Sequence, residues 1–150
     1  MPYSYVGANP LNKVDPLGLV WEYSQANGTM QHVDDTTGAR GQLYTGLYSG
    51  DANHFNNPGS QNIQGEGPIP QGPYKIGPEY NNKGSTGPAT MNLTPDMSNP
   101  TTYTFGRSLF RIHGDKSSCN HCASEGCIIS PHSLRDLINN SGDNKLWVVP

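Results

Sequence analysis

The chain's three cysteines, Cys119, Cys122 and Cys127, fall within nine positions of one another, and one of its five histidines, His113, stands fourteen positions before the last of them. An apolar run over 109–113 ends in His113-Gly114. A polar loop follows, and Ser124-x-Gly126 then delivers Cys127 into Ile128-Ile129. A cysteine attacks a carbonyl as its thiolate, and an adjacent base holds it in that form near neutral pH. Histidine is the natural base because its ordinary pKa lies close to neutrality. Two strand ends joined by a loop can set His113 and Cys127 face to face. Gly126 leaves room for a substrate carbonyl close to the backbone, where the Cys127 N–H and its neighbours can donate to an oxyanion. Asp115 is a candidate orienting carboxylate for His113, with a solvated loop carboxylate as the plainer reading. Glu125 reads as an exposed turn residue.

The same cluster admits other chemistry. Cys119-x-x-Cys122, with Cys127, His113 and His121 nearby, could hold zinc, although structural zinc sites usually draw two ligand pairs from separated turns and the second pair is missing. That reading makes the chain a non-catalytic, zinc-binding interaction module. A papain-like arrangement would place the cysteine well before its histidine, and only His132 follows Cys127. His32, His54 and His132 have no partner visible in the sequence and read as surface or packing residues.

The elements that must position the cluster are mostly strands. With 18 Gly and 13 Pro in 150 residues, and 14% charged residues, the chain is poor in the Ala, Leu, Glu and Lys that long helices need. Low apolar content suggests disorder only when joined to high net charge, and here the net charge is −3. Strands are expected over 20–25 and 29–33, joined by an Asn27-Gly28 hairpin turn, and over 43–48, 72–76, 90–93, 103–105, 109–113 and 146–149. Residues 50–72 and 81–88 read as loops. One helix is expected after Cys127, with Ser130 as N-cap, Pro131 at the first position, Leu134, Leu137 and Ile138 on one face, and Gly142 as the stop. Seven or eight strands and one helix point to a mainly β domain, a β-sandwich or barrel-like sheet.

Composition also removes partners. Nine Lys and Arg against twelve Asp and Glu make no basic stripe for nucleic acid. No apolar run approaches the roughly 20 residues of a membrane span. Residues 1–7 show neither the charged nor the apolar region of a signal peptide.

His113-Gly114, a loop, and Ser124-x-Gly126-Cys127-Ile128 resemble the active-site signature of the YkuD-type L,D-transpeptidases. Gly67-Pro68-Ile69-Pro70-x-Gly72-x-Tyr74-x-Ile76 resembles the strand opening of that family. Trp21…Gly28-Thr29-Met30, Tyr48-Ser49-Gly50 and Ala123-Ser124-Glu125-Gly126-Cys127 resemble more closely the L,D-transpeptidase-like effectors of type VI secretion. The likeness spans roughly 20–150. It implies an L,D-transpeptidase catalytic fold, Cys127 as nucleophile and His113 as base, with Ser124, Gly126 and Gly114 around the oxyanion and substrate. It implies no cofactor. The implied substrate is the peptidoglycan stem tetrapeptide, cut at the bond between its third residue and D-alanine, with the thioester resolved by water or by a D-amino acid. Three departures stand against full crosslinking activity: Glu125 where the transpeptidases usually have His, Ile129 where they often carry Arg or Asn, and the short His-to-Cys separation. In an oxidising periplasm, a Cys119–Cys122 disulfide is the preferred state of that pair, ahead of thiols and zinc.

The opening segment carries a second resemblance. Tyr3-x-Tyr5-Val6-Gly7-x-Asn9-Pro10-Leu11-Asn12-x-Val14-Asp15-Pro16-Leu17-Gly18-Leu19 is similar to the end of the Rhs-repeat core, where a shell protein gives way to a variable toxin. It implies a boundary segment over 1–19, a toxin domain over 20–150 and a processing site after Leu19. It also implies an enclosing Rhs shell, a cognate immunity protein, and action in the periplasm of a target bacterium.

Overall fold

The computed structural model describes residues 19–83, 86–115, 124 and 126–150. The boundary segment before Leu19, the Cys119–Cys122 pair, His121 and Glu125 lie outside the described residues.

Among the described residues ten strands form one mixed sheet, and the expected mainly β class holds. β1 (Leu19–Ser24) and β2 (Thr29–Asp34) are the expected hairpin, with Val20, Trp21, Tyr23, Met30 and Val33 buried. β3 (Arg40–Tyr44) pairs with β2 at one edge, and β4 (Tyr48–Ser49) pairs with β9 (Ile128–Ile129) at the other. Between them β10 (Lys145–Val149), β5 (Gly72–Ile76), β7 (Gly87–Pro95) and β8 (Phe110–His113) complete the order β3-β2-β1-β10-β5-β7-β8-β9-β4, and β6 (Tyr80–Asn82) adds to β7. β1–β10 and β8–β9 are parallel pairs; the others are antiparallel.

The sheet curls. Leu47, just before edge strand β4, donates its N–H to Gly28 O at 3.0 Å, in the turn between β1 and β2. Gly28 permits this approach: its φ is +63°, and a Cβ there would stand 2.2 Å from Leu47 O. Side chains from both halves of the strand order, among them Trp21, Met30, Leu93, Ile112 and Ile128, therefore share one core with Leu134 and Ile138 of α1 (His132–Ser141). Of the two architectures expected, the barrel-like sheet fits this continuous strand order.

Several local expectations need correction. The apolar run over 43–48 is split between β3 and β4, because Gly46 (φ +83°) turns the chain. Part of the expected 81–88 loop is instead the β6–β7 hairpin, with Asn82 opposite Gly87. Residues 103–105 form no strand: Phe105 has φ +58°, and its ring packs edge-on to Tyr103 in a turn. Ser130 is not the helix cap. Pro131 occupies that position with extended backbone, the Ser130 hydroxyl donates to Pro131 O, and Leu137 is exposed. Gly142 does end the helix, in a left-handed conformation. Among the described residues no helix is long and apolar enough to cross a membrane.

Candidate active site

β8 and β9 position the two residues that the sequence singles out. Their parallel register sets Ile112 opposite Ile128 and His113 opposite Ile129, and both Ile112 and Ile128 point into the core. Side chains alternate across a strand, so His113 shares the other face with Ile129, and Cys127 lies in the bend directly before β9. His113 thus ends β8, and Cys127 immediately precedes the strand paired with it. Cys127 is half-buried and is in no disulfide.

The imidazole is fixed in one sense. His113 is 4% exposed, and its Nδ1 lies 2.9 Å from Gly114 O. A carbonyl only accepts, so Nδ1 carries the proton and Nε2 is the basic nitrogen of the neutral ring. Burial holds the His113 pKa below its ordinary value; the charges of Arg135 and Arg111 push the same way, while the Gly114 bond and Asp115 oppose them. Gly114 O therefore orients the imidazole. The Gly114 Cα also packs on Arg135, whose Nη2 would stand 2.9 Å from an added Cβ. Asp115, expected as a possible orienter, instead accepts a hydrogen bond from Tyr48 Oη at 2.7 Å and acts on His113 through its charge.

Ser124 builds the turn before Cys127. Its Oγ donates to Cys127 O at 2.6 Å and accepts from Gly126 N at 3.2 Å and Gly50 N at 2.9 Å. Its one proton is committed to Cys127 O, so Ser124 fixes the turn. Gly126 has φ +123°, a conformation that side-chain-bearing residues rarely adopt. Cys127 Sγ lies 3.9 Å from Leu109 O, a weak S–H contact. Leu109 is itself in a left-handed conformation (φ +65°) and strongly exposed.

The flanking motifs converge on this turn. Ser49 Oγ accepts from Ile69 N at 2.8 Å, and the adjacent Gly50 holds Ser124. Arg107 Nη1 donates to Pro68 O at 2.7 Å and to Gln61 O, and Nη2 to Gly67 O at 2.9 Å. Ile69 O in turn accepts from Gln25 Nε2 at 2.8 Å, beyond the end of β1. Sequence reasoning missed Arg107. Nothing in its spacing marks it; the only signal is an arginine between a glycine turn and an apolar strand in a chain with few charges.

This arrangement belongs with known proteins. Residues 44–149 match the Tlde1 domain. The chain belongs to the Tlde1 domain family. That family is one of type VI L,D-transpeptidase effectors. No curated protein matches the chain by sequence. Among solved structures, this Tlde1 domain is similar to the helical cell shape determining protein Pgp2 from Campylobacter jejuni, with a TM-score of 0.58 and 16% identity, covering 87% of this chain and 46% of that one. Bd1075 of Bdellovibrio bacteriovorus follows, with a TM-score of 0.54, 11% identity and coverage of 86% and 46%. The catalytic domain of an E. faecium L,D-transpeptidase has a TM-score of 0.50 and 15% identity, covering 87% of this chain and 95% of that domain. The chain thus spans just under half the length of Pgp2 and of Bd1075, and nearly the whole of the isolated catalytic domain.

Among the described residues a separate group of potential metal ligands, Asp51, His54 and Glu66, brings ligand atoms within 4.8 Å of one another. Asp51 Oδ1 already accepts from the Asn53 and His54 amides and lies 2.8 Å from His54 Nδ1, which ties the loop to itself.

Proposed function

We propose that this Tlde1 domain is a cysteine L,D-carboxypeptidase or exchange enzyme acting on peptidoglycan stem tetrapeptides. The observation that supports the reading is the parallel pairing of β8, which ends in His113, with β9, which follows directly on Cys127, together with a buried imidazole whose Nδ1 is committed to Gly114 O and whose Nε2 is the basic nitrogen. His113 takes the thiol proton as the Cys127 sulfur attacks the carbonyl of the third stem residue. The Cys127 N–H, presented by the Gly126 turn, donates to the oxyanion. The C–N bond to D-alanine then breaks, and His113 returns the proton to the departing amine. Water, or the amine of a D-amino acid, attacks the thioester while His113 accepts its proton, and the thiolate leaves. The fold likeness to an L,D-transpeptidase catalytic domain and the family membership support the substrate class.

The wider setting follows the resemblances. The domain acts as an antibacterial effector in the periplasm of a target cell and removes tetrapeptide donors from wall crosslinking. An Rhs shell encloses it, with processing after Leu19, and an immunity protein covers the Cys127 cleft. Leu19 opens β1 opposite Asp34, so a cut after it would leave the strand to begin at Val20.

The test is incubation with purified muropeptides followed by mass analysis, with and without added D-amino acids. Loss of one alanine from tetrapeptides, or its exchange, is expected for the wild type and not for Cys127→Ala. Activity retained by Cys127→Ala would overturn the mechanism. Stoichiometric zinc with Cys127 shielded from alkylation would favour the zinc-binding module instead.

A further inference from the structure

Arg107 is 5% exposed, yet the hydrogen bonds that hold it go to neutral carbonyls, those of Gln61, Gly67 and Pro68. Among the described residues no carboxylate pairs with it. A buried cation without an anion is costly, so its retention calls for a physical reason. Its position supplies one. A Cβ added to Gly126 would stand 2.4 Å from Arg107 Nη2, so the guanidinium lies against the backbone of the residue before Cys127. The same guanidinium stands over the Phe110 ring, its Cζ 5.7 Å from the centroid.

We propose that Arg107 is a positioning residue that supplies a fixed positive charge to the Cys127 thiolate while tying the 61–68 segment to the 126–127 turn. The inference rests on the catalytic reading above and deepens it. Burial pulls the Arg107 pKa down, and the two groups whose charge opposes that are Tyr74 and Cys127. The base does not supply the resident charge, because burial keeps His113 neutral. On the other side stands the Leu109 carbonyl, which favours the protonated thiol through a contact at 3.9 Å. Among the described residues, the other titratable and charged groups on the elements around the turn are Arg111 and Asp115 from β8 and its end, His132, Arg135 and Asp136 from α1, Tyr48 from β4, Lys75 from β5, and Asp51, His54 and Glu66 from the loop after β4. When the thioester is resolved, the S–C bond breaks and its electron pair returns to sulfur. A standing guanidinium makes that sulfur the better leaving group.

The experiment is alkylation of Cys127 by iodoacetamide across pH, read on its own peptide by mass spectrometry so that Cys119 and Cys122 do not interfere. Arg107→Gln should raise the midpoint by about one pH unit, the lower end of what a neighbouring opposite charge supplies. Arg107→Lys keeps the charge but loses the fork to three carbonyls, so it should melt earlier yet keep a midpoint nearer the wild type. A folded Arg107→Gln that titrates with the wild type overturns the proposal, as does Arg107→Lys moving as far as Arg107→Gln. A second variant covers failure to fold: in His113→Asn, with Arg107 intact, the midpoint should stay below the ordinary thiol value of about 8.5. A return to that value or above overturns the proposal. The assay contains no stem peptide, so a failed charge effect is distinguishable from a failed enzymatic reading, which the muropeptide assay tests separately.

Discussion

Replacing Ser124 by Ala removes one oxygen and strands three backbone groups. The Gly50 and Gly126 amides lose their acceptor, and Cys127 O loses its donor. Ser124 is 1% exposed, and the vacated space is that of a single hydroxyl, too small for a water to take over the bonds. A buried amide left unsatisfied costs about 1–3 kcal/mol, and an ordinary hydrogen bond contributes about 0.5–1.5 kcal/mol. Counting the buried Gly50 and Gly126 amides in the first class and the partly buried bond to Cys127 O in the second gives roughly 5 kcal/mol. For a domain of this size, that corresponds to a fall in melting temperature of about 10–20 °C. The turn also aims Cys127, and displacement of a reacting group by about 1 Å costs on the order of 100-fold in rate. Calorimetry and muropeptide turnover on the same preparation measure both effects. Ser98→Ala is the control, because the Ser98 hydroxyl bonds to Asp96 on the exposed surface and its loss should stay within about 0.5 kcal/mol. If Ser124→Ala melts within about 2 °C of the wild type and turns over stem peptides at the wild-type rate, the reasoning about this turn is wrong.

Gly126→Ala should fold poorly and lose activity, because it combines a disfavoured φ of +123° with a Cβ driven into Arg107; circular dichroism melts and turnover check it. His113 makes stability depend on pH: its folded pKa is depressed, so between that value and about 6.5 the unfolded chain binds the extra proton. The stabilisation is therefore fully present above about 6.5 and is lost as pH falls through that window, and His113→Asn should flatten the slope in melts taken from pH 7.5 down to 5. Arg135→Gln strands the Ser130, Pro88 and Ala89 carbonyls and removes a charge that disfavours imidazolium. It should melt earlier and move the acid limb of the pH–rate profile upward, part of the way to the ordinary histidine value. Asp115→Asn should leave turnover within about threefold, since Gly114 and not Asp115 holds the His113 ring; the pH–rate profile measures it.

The residues of the candidate site were legible in the sequence, and their long-range supports were not. His113 and Cys127 announce themselves because a base and a thiol beside glycine turns have few other reasons to occur together. The hairpin at Asn27-Gly28 and strand β5 follow from turn residues and alternation, which act over a few positions. The parallel pairing of β1 with β10 joins residues more than a hundred positions apart, and no local pattern encodes it. Tyr103–Phe105 misled because alternating aromatics suit a strand, whereas the backbone there takes a left-handed turn that only the three-dimensional setting imposes. Arg107 is the clearest loss: its partners are carbonyls, which every residue carries, so its importance leaves no mark in residue types.

The place of β10 in the strand order has a consequence for biosynthesis. It lies between β1 and β5, so the β1–β2 hairpin, translated well before it, has no neighbour toward the centre of the sheet until Lys145–Val149 has been translated. The nascent chain can assemble β5, β7 and β8 earlier, but the seam joining them to β1 is sewn last. A nascent chain stalled before Lys145 would carry His113 and Cys127 and still lack the strand that locks the two halves together, so translation itself delays the closed sheet until β10 has been made.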